Sequence, residues 1–170
     1  IEVKKRTNKI YALINAAGMA SMNITLATPH SMTKKIIETN LLGAIYTNQI
    51  FGPMLIRNKK GRIINFSTLA VKIGLEGEAV YVASKAGVEA FSRSLARELS
   101  NFNITVNCIA PGPIRTDILR GVSEEKLENI VKYQVFKKIL SKQDVVDQVN
   151  LLLSEESKYI SGQVISVGGF

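Results

Sequence analysis

Four short apolar runs, Tyr11–Ile14, Gly61–Phe66, Ile104–Ile109 and Gln163–Val167, alternate with segments of helical period, and this alternation constrains the fold more than any other feature. Within each run the apolar character is continuous rather than alternating, as in strands of a parallel sheet buried on both faces. Between Ser31 and Asn58 the residues Ile36, Ile37, Leu41, Ile45 and Ile50 recur at mostly helical spacing, and Pro53 is expected to kink that helix or to start a second piece. A second helix is predicted over Glu78–Ser100, and shorter ones over Ser123–Tyr133 and Lys142–Leu153. Ser123 suits an N-cap, with Glu124 and Glu125 at the positive end of the helix dipole. Lys126 in place of Glu or Gln leaves that cap without a full capping box. The fold class is therefore α/β: a doubly wound parallel sheet with helices on both faces, in a single domain over residues 1–170.

Sheets of this kind bind ligands beyond the carboxyl ends of their strands. Asn15–Gly18, the pair Ser67–Thr68, and Pro111–Thr116 all fall at such ends. Three loops thus converge on one crevice. Loops are also expected from Gly18 to about Ser31 and through Gly74 and Gly77. His30, the only histidine, is read as a solvated loop residue.

Composition excludes several other classes of function. No apolar run reaches the roughly 20 residues of a membrane span. Ile1–Arg6 is basic but has no apolar segment behind it, so it is not a signal peptide. A single cysteine, Cys108, permits neither an internal disulfide nor a zinc cluster. In its apolar run it reads as a buried structural thiol, and a reducing, cytoplasmic setting fits. The net charge of +8 raises the question of nucleic acid. Lys34-Lys35, Lys59-Lys60, Arg93, Arg97 and Lys137-Lys138 are dispersed along the chain, however, without the interleaved aromatic residues of a base-stacking platform.

Tyr81 and Lys85 stand four apart on a predicted helix and therefore share a face. A phenol titrates near 10, and a neighbouring ammonium brings it toward usable proton transfer. Around this pair, Asn15-Ala16-Ala17-Gly18 and Asn40 in Glu-Thr-Asn-Leu-Leu-Gly precede Gly61-Arg62-Ile63-Ile64-Asn65-Phe66-Ser67-Thr68. Tyr81-Val82-Ala83-Ser84-Lys85-Ala86-Gly87, Val106-Asn107, Pro111-Gly112-Pro113-Ile114-Arg115-Thr116 and Ser161-Gly162-Gln163 follow. With these motifs in this order, essentially the whole chain resembles the classical short-chain dehydrogenase/reductase family. Within that family it is most similar to 3-oxoacyl-(acyl-carrier-protein) reductases.

The resemblance implies a Rossmann-like fold and an NADP or NAD cofactor, with NADPH preferred. Tyr81 would protonate the carbonyl oxygen as hydride arrives from the nicotinamide. Lys85 would lower the Tyr81 pKa and hold the ribose hydroxyls, and Asn40, at a helix irregularity, would hold a water in a proton relay. The family's carbonyl-orienting serine falls at Thr68, with Ser67 the weaker alternative because neighbours on a strand point to opposite faces. Asn15, Ala17 and Gly18 would line the adenosine-ribose side. Pro111, Gly112, Ile114 and Thr116 would close over the nicotinamide. Asn107 and Gly162 read as structural. The substrate implied is a 3-oxoacyl thioester, with acyl carrier protein as a possible partner. Sugar, polyol or other ketones stand next. A homotetramer or dimer built by the two long helices is also implied.

The family's first strand, its T-G-x-x-x-G-x-G turn and the helix behind it have no counterpart in Ile1–Asn15, and the chain does not begin with Met. The sequence is accordingly expected to be the C-terminal catalytic portion of a longer chain, lacking the first strands and helices of the fold. The rival from another class is a non-catalytic binding or scaffold protein that has lost the nucleotide loop. Lys59 matches a basic position of carrier-protein reductases, whereas a second such position is Phe102. Val135-Phe136-Lys137-Lys138 and Val167-Gly168-Gly169-Phe170 also depart from family patterns. Substrate identity is expected to reside in the segment Arg120–Val135.

Overall fold

The computed structural model describes residues 2–7, 9–116, 119 and 122–170. Its four strands, β1 (Ala12–Asn15), β2 (Gly61–Phe66), β3 (Ile104–Pro111) and β4 (Val164–Val167), form one parallel sheet in that order. The helices are α1 (Glu2–Arg6), α2 (His30–Ile37), α3 (Gly43–Asn58), α4 (Ala70–Ile73), α5 (Ala79–Leu99), α6 (Glu124–Val131) and α7 (Lys142–Leu153). The central strands are buried almost end to end, whereas the outer strands are only partly covered. Continuous apolar runs mark strands enclosed on both faces.

Two separate cores show that both faces are covered. Ile63, Ile104 and Val106 pack with Leu55 of α3 and with Ala96 and Leu99 of α5. Ile64 and Ile109, on the opposite face by strand alternation, pack with Val145 and Leu152 of α7. Along α5, Ser84, Val88, Ser92, Ala96 and Leu99 recur near every fourth residue as its buried stripe, with Lys85 beside it.

Several expected boundaries move. Helix α3 runs through Pro53 without a break, held by Met54 and Leu55, which are buried in the core. The irregularity lies earlier, in a π-turn over Glu38–Leu42 that joins α2 to α3 and contains the buried Asn40. His30 is exposed but is the first residue of α2 rather than a loop residue. A short helix, α4, occupies part of the loop expected between Thr68 and Gly74. Ser123 caps α6 as predicted, accepting from the Lys126 amide at 3.3 Å. A capping box that the sequence reading missed opens α7, between Ser141 and Asp144. Arg120 and Gly121, in the segment expected to set substrate identity, lie outside the described residues. No helix among the described residues is long and apolar enough to cross a membrane.

Candidate active site

Strands β2 and β3 end beside the first turns of α5, and there a cavity of about 270 Å³ opens. Its wall contains Gly18, Thr68, Tyr81, Lys85, Pro111, Gly112, Ile114 and Thr116, so eight predicted residues come together from four separate stretches of chain. Tyr81 and Lys85 lie one turn apart on α5, with the Lys85 ammonium 6.0 Å from the Tyr81 ring centre.

Lys85 is only 4% exposed. Its Nζ donates to the Phe66 carbonyl oxygen at the end of β2, 2.8 Å away. Burial pulls its pKa down to about 8, opposed in part by the Cys108 thiol. The Tyr81 phenol moves the other way. Burial pushes it up to about 12, its hydrogen bond with Thr68 pulls down, and the Glu78 carboxylate raises it further. The family resemblance implies that Lys85 lowers the pKa of this phenol; in the folded chain burial is the dominant influence, and the side chains that act beside it are Thr68 and Glu78.

Strand geometry separates the two hydroxyl candidates. Thr68 faces the cavity and meets Tyr81. Ser67 Oγ donates to Glu89 Oε1 at 2.6 Å. Ser67 is therefore spent on α5, while Thr68 lies in the cavity wall.

Asn40 sits behind the cavity rather than in its wall. Its Nδ2 donates to the Met19 carbonyl and to Ser84 Oγ, each at 2.9 Å. Its Oδ1 accepts from the Met19 amide at 2.8 Å. The side chain thereby clamps the Gly18–Met19 backbone against α5. A Cβ at Gly18 would stand 3.3 Å from Lys85 Nζ and 3.4 Å from Asn40 Oδ1, so glycine lets this backbone pass close to both side chains.

Two predicted cofactor residues do not reach the cavity. Ala17 is absent from its wall, where Ala16 appears instead. Asn15 is absent too, because its amide is occupied elsewhere. Its Nδ2 donates to Asn65 Oδ1 at 2.7 Å, and its Oδ1 accepts from Thr47 Oγ1 at 2.8 Å. Asn65 in turn donates to Ser92 Oγ at 2.8 Å, and the buried Cys108 thiol donates to the same oxygen at 3.1 Å. This chain of polar contacts crosses from β1 to β3 beneath α3 and α5. It confirms the structural reading of Cys108, whose thiol burial pushes up to about 11.

Asn107 is structural as read, donating to the Ile160 carbonyl at 2.7 Å and accepting from the Gln163 amide at 3.1 Å. Gly162 turns the chain with a φ of +73°.

Two features escaped the sequence reading. Glu78, at the start of α5, lies in the cavity wall at 5% exposure. Its position one turn before Tyr81 was the available signal. Gln134 is fully buried between Gly112 and Gly168, where an added Cβ would come within 1.7 Å and 2.3 Å of its Oε1. It wedges the ends of β3 and β4 into their positions, and no local sequence pattern announces it.

The basic residues also differ from expectation. Lys59, Lys60, Arg62, Arg93, Arg97 and Lys158 are dispersed in sequence but gather around one open groove at the amino ends of β2 and β3, with Glu155 among them. Phe102 packs against the neighbouring core. Among the described residues no group of acidic, histidine and cysteine side chains could hold a metal.

The family profile described as Enoyl-(Acyl carrier protein) reductase matches residues 1–170. The chain is 35% identical over 168 residues to the 3-oxoacyl-(acyl-carrier-protein) reductase FabG of Staphylococcus aureus strain Mu50, covering 99% of this chain and 68% of that protein. It is 33% identical over 168 residues to FabG of Staphylococcus epidermidis strain RP62A, covering 99% and 69%. It is 35% identical over 167 residues to the 3-oxoacyl-(acyl-carrier-protein) reductase MabA of Mycobacterium bovis, covering 98% and 68%. A crystal structure from Agrobacterium tumefaciens, of a chain assigned as a gluconate dehydrogenase, superposes with a TM-score of 0.91 at 24% identity, covering 99% of this chain and 67% of that one. That likeness bears on the fold alone.

Proposed function

This chain belongs to the short-chain dehydrogenase/reductase family of NAD(P)-dependent oxidoreductases, and we propose that it reduces a 3-oxoacyl thioester to the secondary alcohol with NADPH. The observation that carries the reading is the Tyr81–Lys85 pair, set with the Thr68 hydroxyl in one cavity at the carboxyl ends of parallel strands.

A nicotinamide fits the residues present. Gly18 brings bare backbone beside Lys85, and Gly112, Ile114 and Thr116 supply the facing wall. When bound, the nicotinamide supplies hydride to the carbonyl carbon. Tyr81 donates its phenolic proton to the carbonyl oxygen. A phenol held near 12 keeps that proton throughout the neutral range and gives it up only to an oxygen gaining negative charge. Thr68 donates to the same oxygen and sets its direction toward Tyr81. Lys85, fixed by the Phe66 carbonyl, holds the ribose hydroxyls and brings positive charge to the phenolate left behind. Asn40 fixes the Gly18–Met19 backbone on which this packing depends. Its side-chain amide is taken up by these contacts and by Ser84.

The names of the relatives support the acyl thioester, and the apolar wall formed by Leu75, Val122 and Ile130 suits an acyl chain. Acyl carrier protein is the proposed donor of that chain, and assembly with copies of the same chain through α3 and α5 belongs to the same proposal. Tyr81→Phe removes the proton while preserving the ring. Its turnover of a 3-oxobutanoyl thioester with NADPH should fall by roughly 10³-fold with an unchanged melting temperature. Turnover within tenfold of the parent overturns the mechanism.

A further inference from the structure

Gly112 stands in the cavity wall, and packed against it is Gln134, which lies outside that wall. Gln134 is fully buried. A Cβ at Gly112 would come within 1.7 Å of its Oε1, and one at Gly168 within 2.3 Å. The carboxamide therefore fills the space that side chains on both glycines would take. Its Nε2 donates to the Lys138 carbonyl at 2.8 Å, which anchors it to the segment behind. A polar group enclosed in this way is kept in one orientation, because turning it would break a buried hydrogen bond.

The stretch Pro111–Ile114 is bonded through its backbone to three neighbours. The Leu69 amide donates to the Pro111 carbonyl at 2.9 Å, the Gly112 amide to the Val167 carbonyl at 3.0 Å, and the Leu140 amide to the Pro113 carbonyl at 3.0 Å. Leu69 follows Thr68 directly, so the stretch is tied to the hydroxyl that meets Tyr81. Gly112 has no side chain to wedge it in place, and its backbone is the freest in the stretch. Its cavity side is open to a ligand, and its other side rests on Gln134. Removing the carboxamide leaves a void into which this part of the wall can retreat.

We propose that Gln134 is a positioning residue for the nicotinamide, which it supports through Gly112 by holding the Pro111–Ile114 wall forward against the ring. The inference rests on the reading of this wall as the nicotinamide-facing side, and it adds what keeps that wall in place.

The test compares the full-length native protein with Gln134→Ala. Gln134→Asn is the milder variant, drawing the carboxamide back by one methylene, and Gln134→Met keeps an unbranched side chain of similar length. Without cofactor, exchange of the Gly112 and Leu140 amides should quicken by about tenfold in Gln134→Ala, while Ile63–Asn65 stays unchanged. NADPH should bind about tenfold more weakly, whereas 2′-phospho-ADP-ribose, the same molecule without its nicotinamide, should bind as before. The kcat for the 3-oxobutanoyl thioester should fall by about 10–100-fold at an unchanged KM for the thioester, since small misplacements of a reacting group are costly. Gln134→Met should bring NADPH affinity back to within about threefold of the parent. Unchanged NADPH affinity in Gln134→Ala overturns the inference. Equal weakening of NADPH and the fragment also overturns it, as the mark of general loosening. Should Gln134→Ala not fold, the same comparison in Gln134→Asn decides. A wild type that binds NADPH but leaves the thioester unreduced removes the substrate reading, and the binding comparison still decides this one. A wild type that binds no NADPH removes both.

Discussion

Lys85 carries a prediction that needs no substrate. Its folded pKa of about 8 lies below the ordinary lysine value of 10.5, so between those values the unfolded chain binds the extra proton. Stability from this group is present above pH 10.5 and is lost as pH falls toward 8. The loss approaches about 3 kcal/mol once the ammonium is charged inside the fold. Lys85→Met abolishes the titration. The stability of the variant minus that of the parent should therefore be about 3 kcal/mol more favourable at pH 7 than at pH 10.5. A difference that stays flat across urea unfolding curves at those pH values refutes the burial that sets the shift. Tyr81 and Lys85 were legible in the sequence because helical spacing fixes which residues share a face. Thr68 was picked out by its place in the family resemblance, with strand alternation used only to set Ser67 second. The place of Asn15 outside the cavity wall was not legible, because the partners that hold its amide, Asn65 and Thr47, are distant in sequence. Whether an amide faces a ligand or a neighbouring strand depends on contacts that no local pattern encodes. Glu78 was passed over for the same reason, since its burial is a property of the assembled wall.

At the scale of elements, Gln134 ties the ends of two strands to the segment that follows α6. Gln134 Nε2 donates to the Lys138 carbonyl at 2.8 Å, and the Phe136 amide donates to Gly168 O at 3.0 Å. Gly112→Ala drives a methyl group into the Gln134 amide and should cost about 1–3 kcal/mol. Shortening the partner in Gly112→Ala/Gln134→Ala should recover part of that loss, giving a coupling energy of compensating sign in a double-mutant cycle. Strictly additive losses would mean that the wedge does not hold the strands. The strands and most helices were readable because their apolar periods follow directly from burial geometry. Helix α7 agrees with its predicted range from end to end. The break expected at Pro53 does not occur, whereas the irregularity that the family resemblance implied at Asn40 is present as a π-turn, which inserts one residue into a helix without changing its composition. Inside it the Asn40 side chain clamps Met19.

For the whole molecule, burial orders the sheet from the middle outward. Strands β2 and β3 are enclosed, while Ile14 on β1 is 42% exposed. In this 170-residue chain, hydrogen exchange should protect the amides of Ile63–Asn65 and Val106–Ile109 most, and those of β1 and β4 should open first. Equal protection in all four strands counts against this ordering. Coverage of both faces was legible, because only enclosed strands carry unbroken apolar runs. The basic groove was not, since Arg62, Arg93 and Lys158 meet only when three elements pack. The interlock of Gln134 with Gly112 and Gly168 also limits how such a chain can change over generations. A side chain cannot be added at position 112 while the glutamine remains. Shortening the glutamine first opens a void that is tolerated at a modest cost. Drift through this part of the molecule is therefore ordered, with position 134 yielding before either glycine. Descendants that differ at 112 should carry a smaller residue at 134, whereas position 168 is held to glycine by its φ of +97° as well.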